Sequence, residues 1–248
     1  VSRDRLNLLV STDIGTDFDD GAAIRIAMAS AYLHLVGIYV TNGPVDIRAK
    51  IAHRMRNLEN HDALIAIGES NALATSLPLY TTGLEAALLP NDILKASPNS
   101  LGIETNWLGA ITRQLKTLGK CVIASIAPLT NMAILLEKMP ELASNMDSLY
   151  IMGGREGELE HNFSHDPLAA SRVLDSGLNI VIVPADTCSL YDADMSFLTN
   201  LDGTPGNLYL SQMARLWKLS HDARLYRTSE LLQEMLRNKA AGYFSGDE

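Results

Sequence analysis

The chain has little cysteine, few aromatic residues and no long unbroken apolar run. Its two cysteines, Cys121 and Cys188, have neither CxxC spacing nor histidine-rich company, which argues against a disulfide framework and a thiolate metal site. Both sit in or beside strand-like runs and are read as buried thiols. No segment approaches the roughly 20 apolar residues of a membrane span, and VSRDRLNLLV lacks the apolar stretch of a secretory signal, so the expectation is a cytoplasmic protein without membrane contact. Positive charge is scarce too. Lys+Arg 20 against Asp+Glu 29 give a net charge of -9, which repels a phosphate backbone, so nucleic acid is not expected as a partner. Internal repeats, low-complexity tracts and linkers are missing, and the chain reads as one domain over residues 1–248.

What is present is an alternation. Short apolar runs, RLNLLV, HLVGIYV, ALIAIG, GKCVIASI, SLYIMGG and NIVIVPAD, are interleaved with helical patterns such as GAAIRIAMASAYL, DIRAKIAHRMRNLEN, LTNMAILLEKMPEL and DPLAASRVLDSG. Strands that are apolar throughout, without alternation, belong to a sheet covered on both faces, so the fold class is α/β with a parallel sheet. The loops that follow the strands, STDIGTDFDD, TNGP, APLTN, MGGRE and PADT, are rich in Asp, Asn, Thr and Gly. In open α/β sheets ligands bind beyond the carboxyl ends of the strands, which places the site where these loops converge. From about Thr187 to Asn238 the pattern turns helical, and this segment is expected to cover or border the crevice.

The first loop poses the chemical question. Asp13, Asp17, Asp19 and Asp20 fall within eight positions, and such like charge is costly unless a cation offsets it. Oxygen donors without nearby Cys or His suit a hard divalent cation, calcium or magnesium, rather than zinc. The loop is a poor EF-hand, since Ile14 and Thr16 occupy the wrong places. A DxDxT-like phosphohydrolase is a better rival, although Gly15 replaces its second aspartate. Helix capping by Asp19 and Asp20 explains one or two of the carboxylates and leaves the others unexplained.

Taken in order, these segments resemble the inosine-uridine-preferring nucleoside hydrolase family, whose members open with an aspartate-rich strand-to-helix loop of the form DxDxGxDD. The further matches are TNG, APLTNMAILL, YIMGG and EHNFSHDPLAA, the last similar to the family's EFNxxxDPEAA, and the set runs from Asp13 to Asp186. The resemblance implies an open, mainly parallel, Rossmann-like sheet flanked by helices, the nucleoside hydrolase fold. It implies calcium-dependent hydrolysis of the N-glycosidic bond of ribonucleosides to ribose and free base, with magnesium the second choice of metal, and a homodimer or homotetramer as the assembly.

Residue by residue, the resemblance makes Asp13 both a metal ligand and the base that activates water, and Asp20 the main metal carboxylate. Asp19 orients the ribose, but two extra residues in the loop leave Asp17 as its rival. Thr130 offers its main-chain carbonyl to the metal, or else caps a helix together with Asn131. Asn42 in TNG contacts ribose or is a plain turn residue. Glu160 and Asn162 match the family's partners for the 5'-hydroxyl side of the sugar, Asp166 its DPEAA aspartate, and Met152 a residue near the ribose or in the core. His165 has no counterpart and reads as a loop histidine or an acid. Asp186 lies near the nucleoside or caps a helix with Thr187. The last metal carboxylate is Asp247, in preference to Asp222, and Gly246 stands where the family has a histidine able to protonate the leaving base. Family chains continue past that segment, so the sequence is read as C-terminally short. The alternatives are a nucleoside- or sugar-binding homologue without activity and a metal-dependent phosphohydrolase.

Overall fold

The computed structural model describes residues 5–15, 17–74, 84–190, 194–201 and 203–225, with residues 222–225 described by backbone alone. Six strands, β1 (Leu6–Thr12), β2 (Leu33–Val40), β3 (Leu64–Ile67), β4 (Cys121–Ser125), β5 (Met146–Met152) and β6 (Ile180–Val183), form one sheet in the order β3-β2-β1-β4-β5-β6. Every neighbouring pair is parallel. Each apolar run singled out in the sequence supplies one strand, and the architecture is the expected Rossmann-like sheet between helices.

The helices are α1 (Asp19–Ala29), α2 (Val45–Leu58), α3 (Asn91–Lys95), α4 (Trp107–Leu118), α5 (Thr130–Lys138), α6 (His161–His165), α7 (Pro167–Leu174), α8 (Ala185–Cys188), α9 (Met195–Leu198) and α10 (Pro205–Leu225). Side chains alternate across a strand, so β1 feeds two cores. Leu8 and Val10 pack with Ile24 of α1, Ile51 of α2 and Met213 of α10, whereas Leu9 packs with Ile111 of α4, Met132 of α5 and Val173 of α7. Each fully buried Leu or Ile contributes about 1.5–3 kcal/mol, so the two-sided core sets the stability and tolerates a costly loop at its edge.

The connection from β3 to β4 carries α4, which the strand-led reading of the sequence passed over. Its signals are ordinary ones. The Asn106 side chain caps the Gly109 N–H, Trp107, Ile111 and Leu115 are buried at helical spacing, and Gly119, with φ of 73°, ends the helix. Because the chain returns past β1 to reach β4, the strand order reverses between β1 and β4. A crevice opens at their carboxyl ends.

Three expectations are corrected. Cys188 is exposed at the end of α8, beyond the edge strand, and only Cys121 is buried. β6 is apolar throughout but is the sheet edge, and Val181 and Ile182 are exposed rather than covered on both faces. α1 begins at Asp19 and ends at Ala29, short of the predicted AYL, because the Ser30 hydroxyl accepts from the N–H groups of Tyr32 and Leu33 (both 3.1 Å) and turns the chain into β2. Among the described residues no helix is long and apolar enough to cross a membrane.

Candidate active site

The site is built from the carboxyl end of β1. Thr12, fully buried, donates its hydroxyl to the Asp20 carboxylate and accepts from the Ile14 N–H (3.1 Å), folding the acidic loop back on its own strand. Arg48, also fully buried, closes the other side. Its Nη1 donates to the carbonyls of Asp13 and Ile14 and its Nε to the carbonyl of Asn42 (2.6 Å). Asn42 adopts φ of 66°, a left-handed conformation that asparagine tolerates, and its Nδ2 donates to Asp13 Oδ2 (3.3 Å). Buried and in contact with Asp13, Asn42 is not among the residues lining the crevice; what it does is orient Asp13.

The four acids separate into distinct roles. Asp13 and Asp20 are part-buried and face the crevice, and Asp19 lies exposed at its rim in the first turn of α1. Asp17 also lines the crevice, but its Oδ1 accepts from Nε1 of Trp217 on α10 (2.6 Å), and that indole packs edge-on against Phe18 (5.5 Å). So α10 borders the acidic loop, and none of its described residues lines the crevice. Among the described residues no three His, Cys, Asp or Glu side chains gather as a metal cluster. Of the loop's four carboxylates, Asp17 is held by Trp217 and Asp19 lies at the rim, which leaves Asp13 and Asp20 facing the crevice.

The opposite wall comes from β5 and α6. Glu160 is the N-cap of α6, and its carboxylate accepts from the N–H groups of Asn162 (2.8 Å), Phe163 (3.1 Å) and Gly154 (2.9 Å). Asn162 Nδ2 donates to the Met152 carbonyl (3.0 Å). Gly153 carries no side chain because a Cβ there would lie 2.3 Å from the Phe163 ring. Met152, Glu160, His161 and Asn162 face Asp13, Asp19 and Asp20 across a crevice of about 510 Å³. That size lies within the roughly 300–1,000 Å³ usual for small-molecule sites.

Other candidates lie elsewhere. Asp166 is fully buried and accepts from Thr130 Oγ1 (2.6 Å) and the N–H groups of Leu73 (2.8 Å) and Ala169 (3.1 Å), which makes it a hub joining α5, α7 and the segment after β3. Thr130 and Asn131 do not cap α5 through their side chains. Thr130 is committed to Asp166, and Asn131 donates to the Val40 carbonyl (3.2 Å) and accepts from the Glu69 N–H (2.9 Å). Asp186, exposed in the first turn of α8, accepts from the Glu156 N–H (3.0 Å) and does not line the crevice. His165 is no loop residue. It is buried in α6, stacked on His161 at 5.5 Å, and burial, then the charge of His161, pulls its pKa down. Asp222 lies in the backbone of α10, and Asp247 lies outside the described residues.

The electrostatics suit a cation. Burial pushes the Asp13 carboxyl above its ordinary 3.8, against the pull of Arg48 and the Asn42 hydrogen bond. Burial, then the charges of Asp13 and Asp19, hold Asp20 well above it. A carboxyl whose pKa is raised on folding contributes stability below its unfolded value, and that contribution is lost as pH rises through the raised value. In chelated protein these two groups therefore become a growing liability above pH 3.8. A dication bound between them would reverse their sign. The unfolding midpoint with calcium minus that with chelator should widen as pH is raised from about 4 to 7. At about 100 times the dissociation constant the gain is about 2.7 kcal/mol, or roughly 5–10 °C for a chain of this size. Scanning calorimetry at several pH values checks this, and a calcium effect that is flat with pH would contradict it.

Thr12, Arg48, Trp217 and His161 were not anticipated from sequence as parts of the site. His161 was readable, since it sits inside EHNFSHDP, whereas Arg48 and Trp217 gain their roles only through tertiary contacts.

Comparison with known proteins adds a second line. A family model described as inosine-uridine preferring nucleoside hydrolase matches residues 8–243. Uncharacterized protein C1683.06c of Schizosaccharomyces pombe is 26% identical over 240 residues, covering 90% of this chain and 75% of that protein. The non-specific ribonucleoside hydrolase RihC of Salmonella agona is 28% identical over 206 residues, covering 79% of this chain and 66% of the relative's length. Among solved structures, the plant nucleoside hydrolase PpNRh1 superposes with a TM-score of 0.70 at 20% identity, over 95% of this chain and 78% of its own.

Proposed function

Since the chain belongs to the inosine-uridine preferring nucleoside hydrolase family, we propose that it hydrolyses the N-glycosidic bond of ribonucleosides, with calcium bound at the acidic loop. The observation that carries this reading is the placement of Asp13 and Asp20, two carboxylates of raised proton affinity, opposite Glu160 and Asn162 in one crevice. Two like charges at close quarters suit a hard cation that completes its shell with further protein, substrate and water oxygens.

Asp13 and Asp20 hold the ion in this reading, and the family resemblance adds the Thr130 carbonyl and Asp247. A cation held there would supply positive charge for sugar hydroxyls and would lower the pKa of a bound water. Asp13, steadied by Asn42 and by the Arg48 clamp on its own carbonyl, takes the proton from the attacking water. Asp19, Met152 and Asn162 orient the ribose, and Glu160 acts by fixing the turn that presents Asn162. A site built for sugar hydroxyls discriminates strongly, because a substrate lacking them leaves its polar groups unpaired.

The test is ribose release from inosine and uridine in the presence of calcium, with a chelator control. Release that stops on chelation supports the reading. Calorimetry showing ribonucleoside bound without release would leave a binding protein, and release of phosphate from a phosphomonoester, with no ribose from nucleosides, would favour a phosphohydrolase.

A further inference from the structure

The reaction proposed above moves two protons, one away from the attacking water and one toward the departing base. The acidic loop accounts for the first only. A purine or pyrimidine expelled as an anion leaves slowly, and a positioned acid contributes about 10²–10⁴-fold. Five of the ten described residues lining the crevice are carboxylates, and among the described lining residues His161 alone bears an imidazole, the side chain most often used for general acid catalysis.

Its placement is what a proton donor needs. His161 is the first residue of α6, between Glu160, whose carboxylate takes three backbone N–H groups, and Asn162, anchored on the Met152 carbonyl. The backbone on both sides is pinned while the imidazole is exposed to the crevice. One edge is supported by stacking on the buried ring of His165, with centroids 5.5 Å apart and planes 28° apart. β4 separates β1 from β5, so the segments that carry Asp13 and His161 leave the sheet at strands two spacings, about 10 Å, apart. Both side chains line the same crevice from different strands, Asp13 after β1 and His161 after β5.

We propose that His161 protonates the leaving base, an assignment that rests on the hydrolase reading above. As the bond from C1' to the base nitrogen breaks, its electron pair goes to the base and the imidazolium proton moves to a basic atom of the conjugated ring. Water oxygen bonds to C1' and its proton passes to Asp13. The products are ribose and neutral base, and the proton held by Asp13 and the vacancy on His161 re-equilibrate through solvent.

The test compares substrates whose leaving groups do and do not need a proton. For the calcium-loaded protein, His161→Ala and His161→Gln should each lower kcat on inosine and uridine by about 100-fold or more, while p-nitrophenyl riboside, which expels a stable phenolate, falls by less than about 5-fold. His161 is exposed, so the unfolding midpoints of both variants should stay close to wild type and serve as the folding control. Parallel losses on both substrate types, or no loss on nucleosides, would overturn the assignment and leave the hydrolase reading intact. Wild-type protein that cleaves neither nucleosides nor p-nitrophenyl riboside would overturn that reading, and this assignment with it.

Discussion

Asp13→Asn should lower kcat for ribonucleoside cleavage by about 10³-fold or more while leaving the fold in place, because it removes the proposed base and one charge of the proposed cation site in a single step. The amide keeps an oxygen that accepts from Asn42 Nδ2, and the Arg48 bond to the main-chain carbonyl of residue 13 is untouched. The substitution also removes a like charge that pushes Asp20 upward. In chelated protein the midpoint should therefore stay level or rise, and the stabilisation by calcium should largely vanish. Steady-state kinetics and calorimetry on one preparation check both halves. Activity within tenfold of wild type would remove Asp13 from its role, and a collapsed midpoint would make it a structural residue.

Arg48→Ala should be the most destabilising single change near the site. The guanidinium is fully buried and serves the carbonyls of Asp13, Ile14 and Asn42. Its loss strands these acceptors, each costing about 1–3 kcal/mol where water does not reach, and leaves a cavity besides. A total near 3–5 kcal/mol lowers the midpoint by about 10 °C in a protein of this size. Arg48→Lys should recover little of it, since a single ammonium does not reproduce a planar fork that spans several carbonyls. A shift under about 2 °C for the alanine variant would show that the clamp is dispensable.

The sheet was legible because each of its strands is a short, wholly apolar run, and because helical spacing in the intervening segments leaves a parallel arrangement as the economical solution. The crevice was legible for the same reason, as polar loops after parallel strands share one end of the sheet. Contacts between distant residues were not. Asp17 looks equivalent to its neighbours until Trp217, 200 residues later, takes its carboxylate. Thr130 and Asn131 have the composition of a helix cap, yet their side chains reach Asp166, Val40 and Glu69. Cys188 resembled a buried thiol because it follows the strand-like run NIVIVPAD, but a sheet edge exposes what an inner strand covers. His161 shows the reverse case, since its place in EHNFSHDP was visible and only the fold reveals that this position opens on the crevice.

The central claim concerns the pairing of Asp13 with Asp20, and the most direct measurement is a crystal structure determined with millimolar calcium and ribose. The account predicts one cation with carboxylate oxygens of both residues at about 2.3–2.6 Å and two adjacent ribose hydroxyls completing its shell. Ribose absent from the crevice, with the two carboxylates turned apart into solvent and no ion between them, would contradict it.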